Sequence, residues 1–194
     1  MDDKILSKLF YGHKFPYLLK LGLAVTKITR LVKKLLDRFP MLQNLNIYNN
    51  KELRKIDRNA FSNLKHLISL YLADNCIESI DKSHFSNLTK METLVLDGNP
   101  LKRIKEYVFS DLKSLQGLYL NNIQLTSLSP KSLAGLNNLE FLLLENNKLV
   151  NFDFGVFDNI GRIQKIDLSG NPIINREIIK NPLVNGKTVE IIYR

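Results

Sequence analysis

The chain has 194 residues, is 44% hydrophobic and carries a formal net charge of +9, enough apolar content to bury the core of one domain. No uninterrupted apolar run of about 18 residues occurs, so no transmembrane span is indicated. Met1-Asp2-Asp3 is acidic and Lys20 breaks the apolar stretch Tyr17–Val25, so no signal peptide is indicated either.

Residues 1–17 are the least regular. Ile5, Leu6, Leu9, Phe10 and Phe15 look like the return half of a unit whose first half is absent, so a fragment of a longer protein stays open. From Leu18 a spacing sets in: Leu18, Leu21, Leu23, Ile28, Leu31, Leu36 and Phe39, with Thr26 between. Composition alone would make Leu18–Leu36 a basic amphipathic helix at a membrane surface. The recurrence of the spacing further along favours a degenerate first repeat instead.

The second unit runs from Leu42 and is one residue longer, the extra residue falling in Asn50-Lys51-Glu52-Leu53; the third runs from Leu67. The fourth is the clearest, with Met91, Leu94, Leu96, Asn99, Leu101, Ile104, Phe109 and Leu112. The fifth, from Leu115, has Ile123 where the others have asparagine and Leu133 where they have phenylalanine. The sixth, from Leu139, restores both with Asn147 and Phe157; the seventh, from Ile163, stops after Asn171 and Ile173. Residues 174–194 are expected to cover the end of the stack, with Val189–Tyr193 alternating enough to be a last strand.

The period-two core of each unit suits a short strand with its leucines pointing inward, and the wider intervals after the asparagine suit an irregular or 3₁₀ return path. One unit cannot bury its own apolar edge, so neighbours must stack with parallel strands about 4.8 Å apart. The frame L-x-x-L-x-L-x-x-N-x-L-x-x-I-x-x-x-x-F-x-x-L closely resembles the 24-residue leucine-rich repeat, in its phenylalanine-bearing subtype. That subtype is similar to Toll-type receptors, chaoptin-like adhesion proteins and small proteoglycans. The resemblance implies an α/β-type solenoid, a curved right-handed superhelix with a parallel concave sheet of about seven strands and irregular or 3₁₀ convex segments. One domain over 1–194 is expected: a partial unit at 1–17, seven repeats at 18–173, the last incomplete, and a cap without cysteines at 174–194.

Residues between the core leucines should line the open face. There Tyr71, Val95, Tyr119, Phe141 and Leu143 would form an apolar and aromatic strip across four strands, large enough to point to a binding surface. The plain alternative is that these residue types merely suit strands. The basic character is local: residues 1–38 hold nine Lys/Arg and three Asp/Glu, residues 39–66 five and two, and residues 67–194 fourteen of each. An acidic partner at the N-terminal third is one reading and a solvated face the other; no combination of stacking and basic residues points to nucleic acid.

Cys76 is the single cysteine, so no internal disulfide forms and no thiolate metal site is expected. His13, His66 and His84 fall in separate repeats with no Ser/Asp pattern nearby, so no catalytic triad is expected, nor any cofactor or metal. Gly98-Asn99-Pro100 and Gly170-Asn171-Pro172 are turn sequences. Asn87-Leu88-Thr89 is a sequon on the convex side, where a glycan would be tolerated, although one such triplet says nothing of secretion. The expected function is a non-catalytic module binding a protein ligand on its concave face, as in a receptor or adhesion protein. The subtype implies an extracellular or cell-surface setting, in innate immunity or adhesion. An intracellular scaffold or regulatory subunit is the alternative, with a cytoplasmic location; catalysis is not expected, because no acid–base, nucleophile or metal constellation occurs.

Overall fold

A computed structural model describes residues 2, 8, 10, 12–158, 160–174, 183–184 and 187–193. Each repeat contributes one short strand to a parallel sheet: β1 (Lys20–Ala24), β3 (Asn44–Tyr48), β5 (Ser69–Tyr71), β6 (Thr93–Val95), β7 (Gly117–Tyr119), β8 (Phe141–Leu143) and β9 (Lys165–Asp167). Between the first of these lie β2 (Arg30–Leu31) and β4 (Lys55–Ile56), which pair with each other on the return path. At the far end β10 (Leu183–Val184) and β11 (Lys187–Thr188) pair antiparallel, and β12 (Glu190–Ile192) joins the main sheet beside β9. The sheet order β1-β3-β5-β6-β7-β8-β9-β12 follows the chain, as a solenoid requires, and its eight strands add one to the seven repeat strands expected. Leu18–Leu36 is not one helix: it holds β1, β2 and a single helical turn at Lys33–Leu36.

The leucine frame explains this stacking. Leu70 pairs with Leu94, Leu94 with Leu118, Leu118 with Leu142 and Leu142 with Ile166, and all five are fully buried. Register is therefore set by burial, since a one-residue slip would turn every leucine to solvent. The opposite wall of the core holds Phe39, Phe61, Phe85, Phe109 and Phe157, with Leu133 in the fifth repeat. The return paths there include 3₁₀ turns at Lys82–His84, Pro130–Leu133 and Phe154–Phe157. At the N-terminal end Phe10 and Phe15 stand 5.4 and 5.5 Å from Phe39 between ring centroids; Ile5, Leu6 and Leu9, expected beside them, lie outside the described residues.

Buried asparagines join successive turns. Asn99 Nδ2 donates to the carbonyls of Leu72 (2.7 Å) and Leu96 (2.9 Å), and its Oδ1 accepts from the Ile77 amide (3.0 Å). Asn75, Asn147 and Asn171 repeat this arrangement, and Asn50 varies it, donating to the Leu23 and Tyr48 carbonyls. Thr26 occupies the same place in the first repeat and donates from its amide and hydroxyl to Asn50 Oδ1. One residue earlier the backbone is left-handed in every repeat, at Val25, Asn49, Asp74, Gly98, Asn122, Asn146 and Gly170. Asparagine, aspartate and glycine tolerate that conformation; Val25, β-branched with φ 51°, is strained in it.

Candidate protein-binding face

Between the inward leucines, alternate residues of each strand face outward. Strand registry sets Tyr71 beside Val95, Val95 beside Tyr119, Tyr119 beside Leu143, and Phe141 beside Gly117. Tyr71 is 38% exposed and Phe141 37%, and Tyr119 and Leu143 are half-buried. Val95 is only 8% exposed, because the larger Tyr71 and Tyr119 flank it, so it forms floor between them. Gly117 has a positional role. A Cβ there would come within 2.9 Å of Tyr119 Cε2, so the tyrosine ring lies back along its own strand over the glycine.

The sequence reading missed Tyr48. It is 48% exposed and lies at the outward end of β3, paired with Ala24. The alternation Leu45-x-Ile47-x would have placed it on this face, one column from Tyr71.

One side of the strip is polar and acidic. Asp97 Oδ1 accepts from the Asn121 amide (2.8 Å), and Asn121 Oδ1 accepts from the Glu145 amide (2.7 Å), a ladder running across three turns. Burial raises the Asp97 carboxyl above its ordinary value, against the hydrogen bonds from Asn121. Glu145 is raised by desolvation and then by the neighbouring carboxylates Asp167 and Asp97. Asp167 is buried and accepts from Ser169 through both its amide and hydroxyl.

The histidines do not converge. His84 is buried, and it stands beside Asp81 and Ser83, a grouping the sequence reading passed over. The three form a helix cap rather than catalytic machinery. Asp81 Oδ1 accepts from the Ser83 amide and hydroxyl, His84 Nδ1 accepts from the Asp81 amide (2.9 Å), and His84 Nε2 lies 3.2 Å from the Ile56 carbonyl. Burial lowers the His84 pKa, against the attraction of Asp81. Ser132, at the equivalent place two turns on, makes the same link to the Ile104 carbonyl. Cys76 is half-buried and its thiol donates to the Lys51 carbonyl at 3.0 Å, beside the extra residue of the second unit. Among the described residues no group of three His, Cys, Asp or Glu is placed to hold a metal, and no helix is long and apolar enough to cross a membrane.

A sheet whose one face is core and whose other face is open, built turn by turn on asparagine rungs, defines a leucine-rich repeat solenoid. The leucine rich repeat family profile matches residues 40–101 and 89–149, and the chain belongs to that family. No curated protein matches it in sequence. Among solved structures it is similar to a leucine-rich repeat protein of Leptospira interrogans, with 25% identity and a TM-score of 0.67, covering 92% of this chain and 51% of that one. It is also similar to an internalin of Listeria monocytogenes, at 22% identity and TM-score 0.64, covering 89% of this chain and 44% of that one. A third likeness is to TLR13 in its complex with ssRNA13, at 25% identity and TM-score 0.75, covering 93% of this chain and 29% of that one. The chain thus spans about half or less of each structure. The fold is in general a non-catalytic scaffold for protein interaction.

Proposed function

We propose that the chain is a receptor- or adhesion-type recognition module that takes a protein ligand on its concave face. The observation that carries this reading is the run Tyr71, Tyr119, Phe141 and Leu143 across four adjacent strands, in register and open to solvent, with Val95 as its floor. Large rigid aromatic residues supply contact area at little entropic cost and dominate binding where they are found. Tyr48 extends the surface towards the N-terminal end. On this reading β12 covers the C-terminal end of the stack beside β9, the rest of the cap expected over 174–194 lying largely outside the described residues, and the setting is extracellular. Asn87, exposed and left-handed on the convex side, then accepts a glycan clear of the ligand. The family resemblance and the receptor among the similar structures support this reading.

The test is affinity capture of a protein ligand from cell-surface extracts, followed by titration against variants. Single replacement of Tyr71, Tyr119 or Phe141 by alanine should weaken binding by about 1–3 kcal/mol with the circular dichroism spectrum unchanged. Leu94→Ala or Leu118→Ala should instead damage the fold, by about 2–5 kcal/mol each. Because the TLR13 structure holds RNA, single-stranded RNA is titrated in parallel. Normal protein binding by Tyr71→Ala and Tyr119→Ala, or RNA binding that these variants abolish, would overturn the proposal.

A further inference from the structure

Beyond the asparagine turn, on the return path and away from the concave sheet, the strand pair β2–β4 borders a cleft of about 560 Å³. It is lined by Arg30, Arg54, Lys55 and Arg58, together with Ile56 and His84, which are buried. Registry explains why the cations gather there. Arg30 pairs with Lys55 across the two strands, and Arg54 and Arg58 flank β4 in sequence. One turn further on, the small side chain of Ser79 lines the cleft. A second cleft of about 490 Å³ is lined by Lys102 and Arg103 together with Glu78.

These cations are only partly neutralised. Arg30 pairs with Asp57, and Arg54 reaches Glu78 at a loose 3.7 Å with both side chains more than half exposed, a pair of little worth in water. Among the described residues Lys55 and Arg58 form no salt bridge. Asp57 and Asp81 also line the cleft. A nucleic acid, with a charge at every nucleotide, would meet those carboxylates, and the cleft offers no exposed aromatic ring for a base to stack on. A polypeptide can place uncharged residues opposite Asp57 and Asp81 and carboxylates opposite Arg54, Lys55 and Arg58, where an arginine donates to both carboxylate oxygens side by side.

We propose that this cleft is a second docking site, which receives an acidic polypeptide segment in extended form across the first three turns. It is independent of the concave strip, so one chain can hold two partners, or two parts of one partner.

The experiment uses the full chain and a fluorescein-labelled peptide of alternating glutamate and serine, about eight residues long, enough to cross the cleft when extended. Anisotropy titrations compare Arg54→Glu/Arg58→Glu with Lys14→Glu/Lys65→Glu, which makes the same charge change on exposed residues of the same third outside the cleft. The milder pair Arg54→Gln/Arg58→Gln accompanies them, and circular dichroism checks folding. The expected result is about tenfold weaker binding for the cleft pair against less than about threefold for the control pair, with a shallower salt dependence. Equal losses in both pairs, or no binding by the parent chain, would overturn the proposal. So would tighter, cleft-dependent binding of a single-stranded oligonucleotide of equal charge or of phosphatidylserine vesicles. Tyr71→Ala should leave peptide binding unchanged, which separates failure of this site from failure of the concave face.

Discussion

His84 shows how one side chain can tie two turns together and make the tie depend on pH. Its Nδ1 accepts a backbone hydrogen and its other nitrogen faces the Ile56 carbonyl, so the ring is held neutral with the hydrogen on Nε2. Protonation of Nδ1 would remove the acceptor that caps Asp81. The folded-state pKa is depressed by burial below the ordinary 6.5, so the unfolded chain binds the proton more tightly. Stability is therefore complete above about pH 6.5 and falls as the pH drops through that value towards the folded pKa. Urea midpoints measured from about pH 7.5 to about pH 5 should decline less steeply in His84→Gln than in the parent. Equal slopes would mean that the carboxylates alone set the acid limb. This role was not legible in the sequence, where His84 reads only as a histidine in a return path. The carbonyl it meets is 28 residues away, and nothing in the local pattern names it.

Within a repeat, the asparagine rung matters through the backbone groups it serves. Leu72 and Leu144 carbonyls each receive two asparagine amides, from their own repeat and the next. Leu96 and Leu120 each receive one, because Ile123 interrupts the series. The backbone at the gap has adjusted: the Leu101 amide turns to the Asn99 carbonyl and the Lys102 amide to the Ile123 carbonyl. No such adjustment exists around Asn147, whose side chain serves the Ile123 and Leu125 amides and the Leu120 and Leu144 carbonyls. Asn147→Ile, which copies the residue tolerated at 123, should therefore cost about 2–4 kcal/mol in denaturant unfolding. A loss below about 1 kcal/mol would show that the rungs are dispensable. The strands themselves were readable from the leucine spacing, since a period of two with a buried side leaves one register. Exposure on the open side was not. Val95 is shielded by tyrosines one turn before and one turn after it, and that depends on residues 24 positions away.

Over the whole molecule, stability in such an array is close to a sum of units and nearest-neighbour contacts. The fifth repeat lacks both the rung and the convex phenylalanine, with Leu133 between Phe109 and Phe157. Amide exchange should be faster over residues 123–133 than in the third, fourth and sixth repeats, and uniform protection across all four would refute this. The solenoid as a whole was the most legible feature, because one motif written seven times states both the strand and its neighbours. The cleft beside β2–β4 was legible only as an excess of charge in the first third of the chain. Its walls are assembled from three successive turns.

That excess has a consequence for motion. Residues 1–66 carry fourteen Lys/Arg against five Asp/Glu, while residues 67–194 balance at fourteen of each. In a stack built in chain order, this separation along the axis is a permanent dipole. Near an anionic body the molecule feels a torque before it makes contact, and the N-terminal turns swing forward first. The open sheet then arrives side-on, so added salt should slow the first encounter far more than it loosens the finished complex.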